Sequence, residues 1–184
     1  MKTLIFNGSP RPHGDTMSLL APLCRSLTGE VRIVDAYRCD ISPCVDCRHC
    51  WEHDGCAISD EMRSLYGEIS TCDNLLIASP IYFSQLTGPL LSVLSRLQRF
   101  YCARRFLKLE PILKPKRGAV ILVGGGDGSV QKPYETACTL LKHMRATDIH
   151  PPVYCHSTDR HSAAQDAQAM AGVRSIADFF NTIR

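Results

Sequence analysis

The chain has 184 residues, 45% of them hydrophobic and 21% charged, with a net charge of +3 at pH 7. These are globular values that exclude a disordered or low-complexity chain, and the length suits one domain, 1–184, with a substantial core. No apolar run reaches the roughly 20 residues needed to span a bilayer, and the short apolar run at the N-terminus does not suit a signal peptide, so a soluble, cytoplasmic protein is expected.

Lys2–Asn7 reads as a buried strand, followed by a polar loop and a helix from about Thr16 to Leu27. Glu30–Asp35 predicts a second strand. A cysteine-rich loop follows at about 37–57, and Ser59 or Asp60 can cap a helix that runs to about Thr71. Asn74–Ser79 is a continuous apolar run, as in a strand covered on both faces. Leu90, Leu91, Leu94 and Leu97 have helical spacing and predict one long helix over Gly88–Phe106, ended by Pro111 and Pro115. Gly118–Val123 is the most hydrophobic strand. Tyr134–Thr147 and Ala163–Ile183 read as helices, with Pro152–Cys155 a last strand between them.

Strands alternating with helices imply parallel βαβ units, and five strands with five helices fit a doubly wound, flavodoxin-like α/β sheet. Ligands of such sheets sit at the carboxyl ends of the strands, beside the point where strand order reverses. Three unusual segments follow strands here, 8–16, 80–84 and 124–129, and all are expected at that edge.

The first of these, Gly8-Ser9-Pro10-Arg11-Pro12-His13-Gly14-Asp15-Thr16, can face its amides toward an anion. Ser9 and Thr16 add hydroxyls, Arg11 a charged fork, and the helix start its positive dipole end. It matches neither G-x-x-x-x-G-K-[ST] nor G-x-G-x-x-G, which disfavours nucleoside triphosphates and dinucleotides bound in the usual way. Pro80-Ile81-Tyr82-Phe83 offers flat apolar surfaces. Gly124-Gly125-Gly126 permits close backbone approach to a ring.

Ten cysteines are unusual for a reducing compartment and point to metal or thiol chemistry. Six are scattered singly and read as small buried hydrophobes (Cys24, Cys39, Cys72, Cys102, Cys138 and Cys155). The other four, Cys44, Cys47, Cys50 and Cys56, have the spacing C-x2-C-x2-C-x5-C and can wrap one metal centre. The residues leave several readings of this loop open: an iron–sulfur cluster, free thiols, zinc with His49 or His53, or a disulfide. Trp51 is expected to pack beside whatever fills it. Arg96–Arg117 holds eight basic residues and one acid, Glu110, either as a solvated face or as a surface for an acidic redox partner or a phosphorylated nicotinamide. No nucleic-acid motif is present. His156–His161 holds polar groups without a nucleophile elbow and reads as a loop before the last helix.

The strand-end motifs NGSPR-x-x-G-x-T, SPIYF and GGGDG occur in the order seen in the NADPH-dependent FMN reductase family, and over about residues 2–130 the chain resembles that family's iron–sulfur flavoprotein branch. The resemblance implies an FMN phosphate gripped by Ser9, Arg11, Asp15, Thr16 and Met17. The isoalloxazine ring would lie between Pro80, Ile81, Tyr82 and Phe83 on one side and Gly124, Gly125, Gly126 and Asp127 on the other. It also implies a 4Fe–4S cluster on Cys44, Cys47, Cys50 and Cys56, with NAD(P)H as electron donor, a quinone, flavin or protein as acceptor, and a homodimer or homotetramer. Asp15 stands where Asn is usual in that family, and Ser92 and Ser95 near where Lys and Asp are common. The rival expectation is a non-enzymatic electron carrier that docks a protein partner through 96–117; a third is a thiol or metal sensor on a vestigial flavin fold.

Overall fold

The structure is a computed structural model that describes residues 1–111 and 113–182. Six strands form one parallel sheet: β1 (Lys2–Asn7), β2 (Glu30–Asp35), β3 (Asn74–Pro80), β4 (Lys116–Val123), β5 (Ala146–Ile149) and β6 (Val153–Cys155). The order is β2-β1-β3-β4-β5, with β6 also on β4, a flavodoxin-like arrangement. Five strands were expected, and the sixth arises because the last position is split. β5 pairs with Lys116–Gly118 and β6 with Ile121–Val123, while His150-Pro151-Pro152 lies between them. Two prolines remove two ladder N–H groups, so pairing must stop and restart.

The inner strands are buried on both faces, which is why they read as unbroken apolar runs. Leu4, Phe6, Leu75, Ile77, Val120 and Leu122 point to one side, against α3 (Met62–Thr71), α4 (Gly88–Ser95) and α6 (Gln131–His143). Ile5, Leu76, Ala78, Ala119 and Ile121 point to the other, against α1 (Asp15–Ser26) and α7 (Ala167–Asn181).

Three predicted helices have different bounds. The long helix over 88–106 breaks into α4, α5 (Gln98–Cys102) and a π-helical turn at Ala103–Leu107, which closes with Lys108 at φ +56°. The break falls at Arg96, whose side chain is drawn inward (below). The helix expected to reach Thr147 stops at His143, because Arg145 turns at φ +66° and Ala146 enters β5. The last helix starts after a 3-10 turn at Ala163–Gln165, and Asp166 caps it by accepting from the N–H groups of Gln168 and Ala169. Its predicted end at Ile183 lies outside the described residues.

Strand order reverses between β1 and β3, so the chain leaving Asn7 emerges beside Pro80. Gly8 is required there. Its N–H donates to the Ala78 carbonyl at 2.8 Å, and a Cβ would lie 2.8 Å from Leu90 Cδ2 and from Thr87 Oγ1.

The loop between β2 and α3 is closed by one side chain. Arg96 is 1% exposed and donates from Nη1 to the Ser42 carbonyl (2.9 Å) and to Asp60 Oδ2 (2.5 Å), and from Nη2 to the Ile58 carbonyl (3.4 Å). Asp60 in turn accepts from the N–H groups of Ser42 (3.0 Å) and Met62 (3.1 Å). Tyr66 donates its hydroxyl to the Arg96 carbonyl (2.9 Å), and Cys44 N–H donates to Ser95 Oγ (2.9 Å). Both ends of the cysteine loop therefore meet at α4.

Burial alone would push the Asp60 carboxyl up, but hydrogen bonds from Arg96, Ser42 and Met62 outweigh it and hold the group below its usual range. A depressed carboxyl contributes stability above the unfolded pKa, about 4, and loses it as pH falls through the folded value. Asp60→Asn leaves a buried guanidinium unpaired and is expected to cost about 3–5 kcal/mol at neutral pH. Urea unfolding at several pH values should also show a shallower loss of stability below about pH 4 than in the wild type; an unchanged acid limb would refute the assignment.

Candidate functional site

The loop after β1 is knit by its own polar groups. Asn7 Oδ1 accepts from Ser9 N–H (3.0 Å), and Ser9 Oγ accepts from Arg11 N–H (3.3 Å). Ser9 and Thr16 are buried, whereas Arg11 and His13 are exposed. Helix α1 begins after Gly14, and no side chain caps its first amides. An open helix start with adjacent hydroxyls and an arginine suits a phosphate.

A cavity of about 170 Å³ opens there, lined by Ser9, Arg11, Asp15, Thr16, Pro80, Ile81, Tyr82, Gly125, Thr158 and Asp159, among others. The structure thus brings together most of the predicted flavin residues. Met17, Phe83, Gly124, Gly126 and Asp127 do not line this cavity. Met17 instead accepts through its sulfur from the Asn7 amide (3.6 Å), and Asp127 is exposed. Asp15 Oδ1 accepts from Ala163 N–H at 2.8 Å, which ties α1 to the turn before α7 and occupies one of its oxygens.

Beyond Pro80 the chain makes a two-residue turn. The backbones of Tyr82 and Gln85 bond reciprocally (2.9 and 3.0 Å), with Phe83 at φ +51° and Ser84 at φ +58°. Such angles strain a bulky residue, and strain of this kind gathers at functional sites. Phe83 is fully exposed and Tyr82 is 43% exposed.

His156–His161, read as a polar loop before the last helix, is such a loop, and its Thr158 and Asp159 also line this cavity. The N–H groups of Ser157, Thr158 and Asp159 donate to the carbonyls of Gly126 (2.9 Å), Gly124 (3.1 Å) and Gly125 (3.3 Å). A Cβ on Gly125 would meet the Asp159 carboxylate at 2.7 Å, so a side chain there would push this exposed carboxylate aside. His156 Nδ1 is buried without a partner. The available signal was position: the segment directly follows the last strand, at the ligand-binding edge of a parallel sheet.

The cysteine loop encloses a larger cavity of about 500 Å³. Cys44, Cys47, Cys50 and Cys56 all line it, and Cys102 of α5, read as a scattered hydrophobe, joins them. Of the other single cysteines, Cys72 and Cys155 are buried and Cys24, Cys39 and Cys138 half-buried. Burial first, then the neighbouring Cys102 thiol, pushes Cys50 up to about 12. Trp51 stacks on Phe106 (4.3 Å between centroids) with the Arg48 guanidinium 4.8 Å from the Trp51 ring, and all three border the cavity with Arg96 and Arg99. His49 stacks on His53 at 4.4 Å. Among the described residues no three His, Cys, Asp or Glu side chains converge as a ready metal site. Four loop thiols on one cavity with arginines in its wall nevertheless have the donor chemistry that suits an anionic, thiolate-bound group.

The basic segment is largely engaged within the chain. Besides Arg96, Arg99 pairs with Asp54, Arg104 with Glu110 and Lys114 with Asp73. Lys116 is fully buried and donates to the Lys114 carbonyl; Arg117 lies over Phe179. Arg105, Lys108 and Lys114 are exposed, so part of the segment still faces solvent. No helix among the described residues is long and apolar enough to cross a membrane.

The chain is similar to an iron–sulfur flavoprotein of Methanocaldococcus jannaschii, 25% identical over 72% of this chain and 66% of that one. It is likewise similar to an iron–sulfur flavoprotein of Archaeoglobus fulgidus, 28% identical over 84% of this chain and 67% of the other. The matching stretch thus spans about two thirds of these relatives' length. The fold is similar to that of the NAD(P)H:quinone oxidoreductase from Methanothermobacter marburgensis, with a TM-score of 0.75 at 14% identity over 100% of this chain and 99% of that one. Residues 1–160 match the sequence profile of the NADPH-dependent FMN reductases, and the chain belongs to that family.

Proposed function

We propose that this protein binds FMN across the carboxyl edge of β1, β3 and β4 and acts as an NAD(P)H-dependent oxidoreductase. The observation that carries this reading is the convergence of three strand-end loops on one cavity, at the point where strand order reverses. Bound FMN would supply the redox chemistry, taking electrons from a nicotinamide and passing them to a quinone, flavin or protein acceptor. The uncapped amides of α1, the hydroxyls of Ser9 and Thr16 and the charge of Arg11 would hold its phosphate. Asp15 opposes this less than its charge suggests, since one carboxylate oxygen is committed to Ala163. The backbone at Gly125 and the surfaces of Ile81 and Tyr82 would orient the ring, and Phe83, which stands outside the cavity, would cover its outer face.

For the cysteine cavity we favour a 4Fe–4S cluster held by Cys44, Cys47, Cys50 and Cys56, which would provide a one-electron outlet. Four loop thiols on one cavity and its cationic wall support this, as do the names of the archaeal relatives. The exposed aromatics Tyr37, Tyr82 and Phe83 support a homodimer or homotetramer in which a second copy completes the flavin site.

Protein purified without oxygen is expected to show flavin absorption and about four irons with matching sulfide per chain. It should oxidise NAD(P)H with a quinone acceptor faster than free FMN does. A protein that binds no FMN would overturn the oxidoreductase reading, and flavin without iron would remove the cluster.

Phe83→Asn separates binding from folding. Asn tolerates the left-handed backbone better than Phe, so the melting temperature should stay level or rise. Loss of ring stacking, worth about 0.5–1.5 kcal/mol, should weaken FMN binding about 2- to 10-fold in a fluorescence titration. Unchanged affinity would place Phe83 outside the site.

A further inference from the structure

The cavity at the start of α1 has one basic side chain in its wall, Arg11, and two acidic ones, Asp15 and Asp159. Asp15 commits an oxygen to the Ala163 N–H. Asp159 commits neither: among the described residues its carboxylate has no donor and no ion-pair partner, and the Arg11 guanidinium is likewise unpaired. Opposite charges on one cavity that do not meet are held apart by the fold. Asp159 sits in the turn after β6, where Ser157 has φ +56° and its carbonyl accepts from the N–H groups of Arg160 (2.9 Å) and His161 (3.1 Å). The Asp159 N–H donates to the Gly125 carbonyl (3.3 Å), and both carboxylate oxygens lie 2.7 Å from where a Cβ on Gly125 would stand. The carboxylate is therefore set on the cavity wall at Gly125. An ionised carboxylate only accepts hydrogen bonds, whereas Arg11 and the uncapped amides of α1 call for an anion. A ligand that satisfies both has a negative end and, further along, groups that donate.

We propose that Asp159 accepts hydrogen bonds from the hydroxyls of the chain that joins the FMN ring to its phosphate, and so selects a polyhydroxyl flavin over one with a plain alkyl chain. This rests on the FMN reading above. Ser9, Arg11 and Thr16 suit the phosphate, and Ile81, Tyr82 and Gly125 suit the ring. The chain between ring and phosphate has to pass from one set to the other, along the wall where Asp159 stands. Two effects of the residue have opposite signs. As a bare charge, Asp159 repels a phosphate and weakens binding. As an acceptor of hydroxyl hydrogens it strengthens binding, because hydrogen bonds to a charged acceptor are the strong ones.

The opposite signs make the inference testable. The full chain, freed of flavin, is titrated with FMN and with an analogue whose phosphate sits on an alkyl chain of the same length without hydroxyls, and flavin fluorescence is followed. Asp159→Ala should weaken FMN binding about 3- to 10-fold and leave the analogue bound no more weakly than by wild type. Equal weakening for both flavins, or unchanged or tighter FMN binding in the variant, would overturn the inference. Wild-type protein supplies a second measurement that does not depend on how the variant folds: it should bind FMN more tightly than the analogue, and equal affinities would overturn the inference. Wild-type protein that binds neither flavin would overturn the FMN reading itself, and the inference with it.

Discussion

A buried guanidinium that binds two carbonyls and a carboxylate sets the shape of the region outside the sheet. Arg96 brings Ser42, Ile58 and Asp60 to one point, so the cysteine-rich segment between them becomes a closed loop against α4 and α5. The same contact explains why the apolar run over 88–106 does not stay one helix: the chain bends where the side chain turns in, and α5 then places Cys102 on the cavity wall. Buried ion pairs are uncertain sources of net stability, but breaking one by removing a single partner is costly. Arg96 and Asp60 therefore act chiefly as a specification of where the loop goes.

The sheet imposes the second constraint. With β1 and β3 adjacent and the order reversing between them, the loops after β1, β3 and β4 have one edge to share. Gly8 and Gly125 permit the close approaches there, one to Leu90 and Thr87, the other to Asp159. Two of the cavities among the described residues differ in character. The smaller, about 170 Å³, has a helix start, hydroxyls and glycine backbone; the larger, about 500 Å³, has thiols, stacked aromatics and arginines. Its chemistry and not its volume is what supports our proposal of the flavin phosphate in the smaller one, which Tyr82 also lines.

Much of this was legible in the sequence because it depends on local pattern. Unbroken apolar runs identify β3 and β4, since both faces of those strands are covered. Ser9, Arg11 and Thr16 declare an anion loop by type and spacing, and all three border the cavity. What was hidden depends on contacts distant along the chain. The split of the last strand position turns on where Pro151 and Pro152 fall against β4. The role of His156–Asp159 requires knowing that β6 lies beside β4, so that their loops meet. Arg96, one of eight bases in a charged run, looked like surface and is among the most deeply buried side chains described.

The central claim is that FMN occupies the sheet-edge site and leaves the cysteine cavity to another group. Amide hydrogen exchange on the chain with and without FMN tests it most directly. The account predicts slowed exchange in 8–17, 80–85 and 156–161, with 44–56 unchanged. Protection confined to 44–58, with the first loop unaffected, would contradict it.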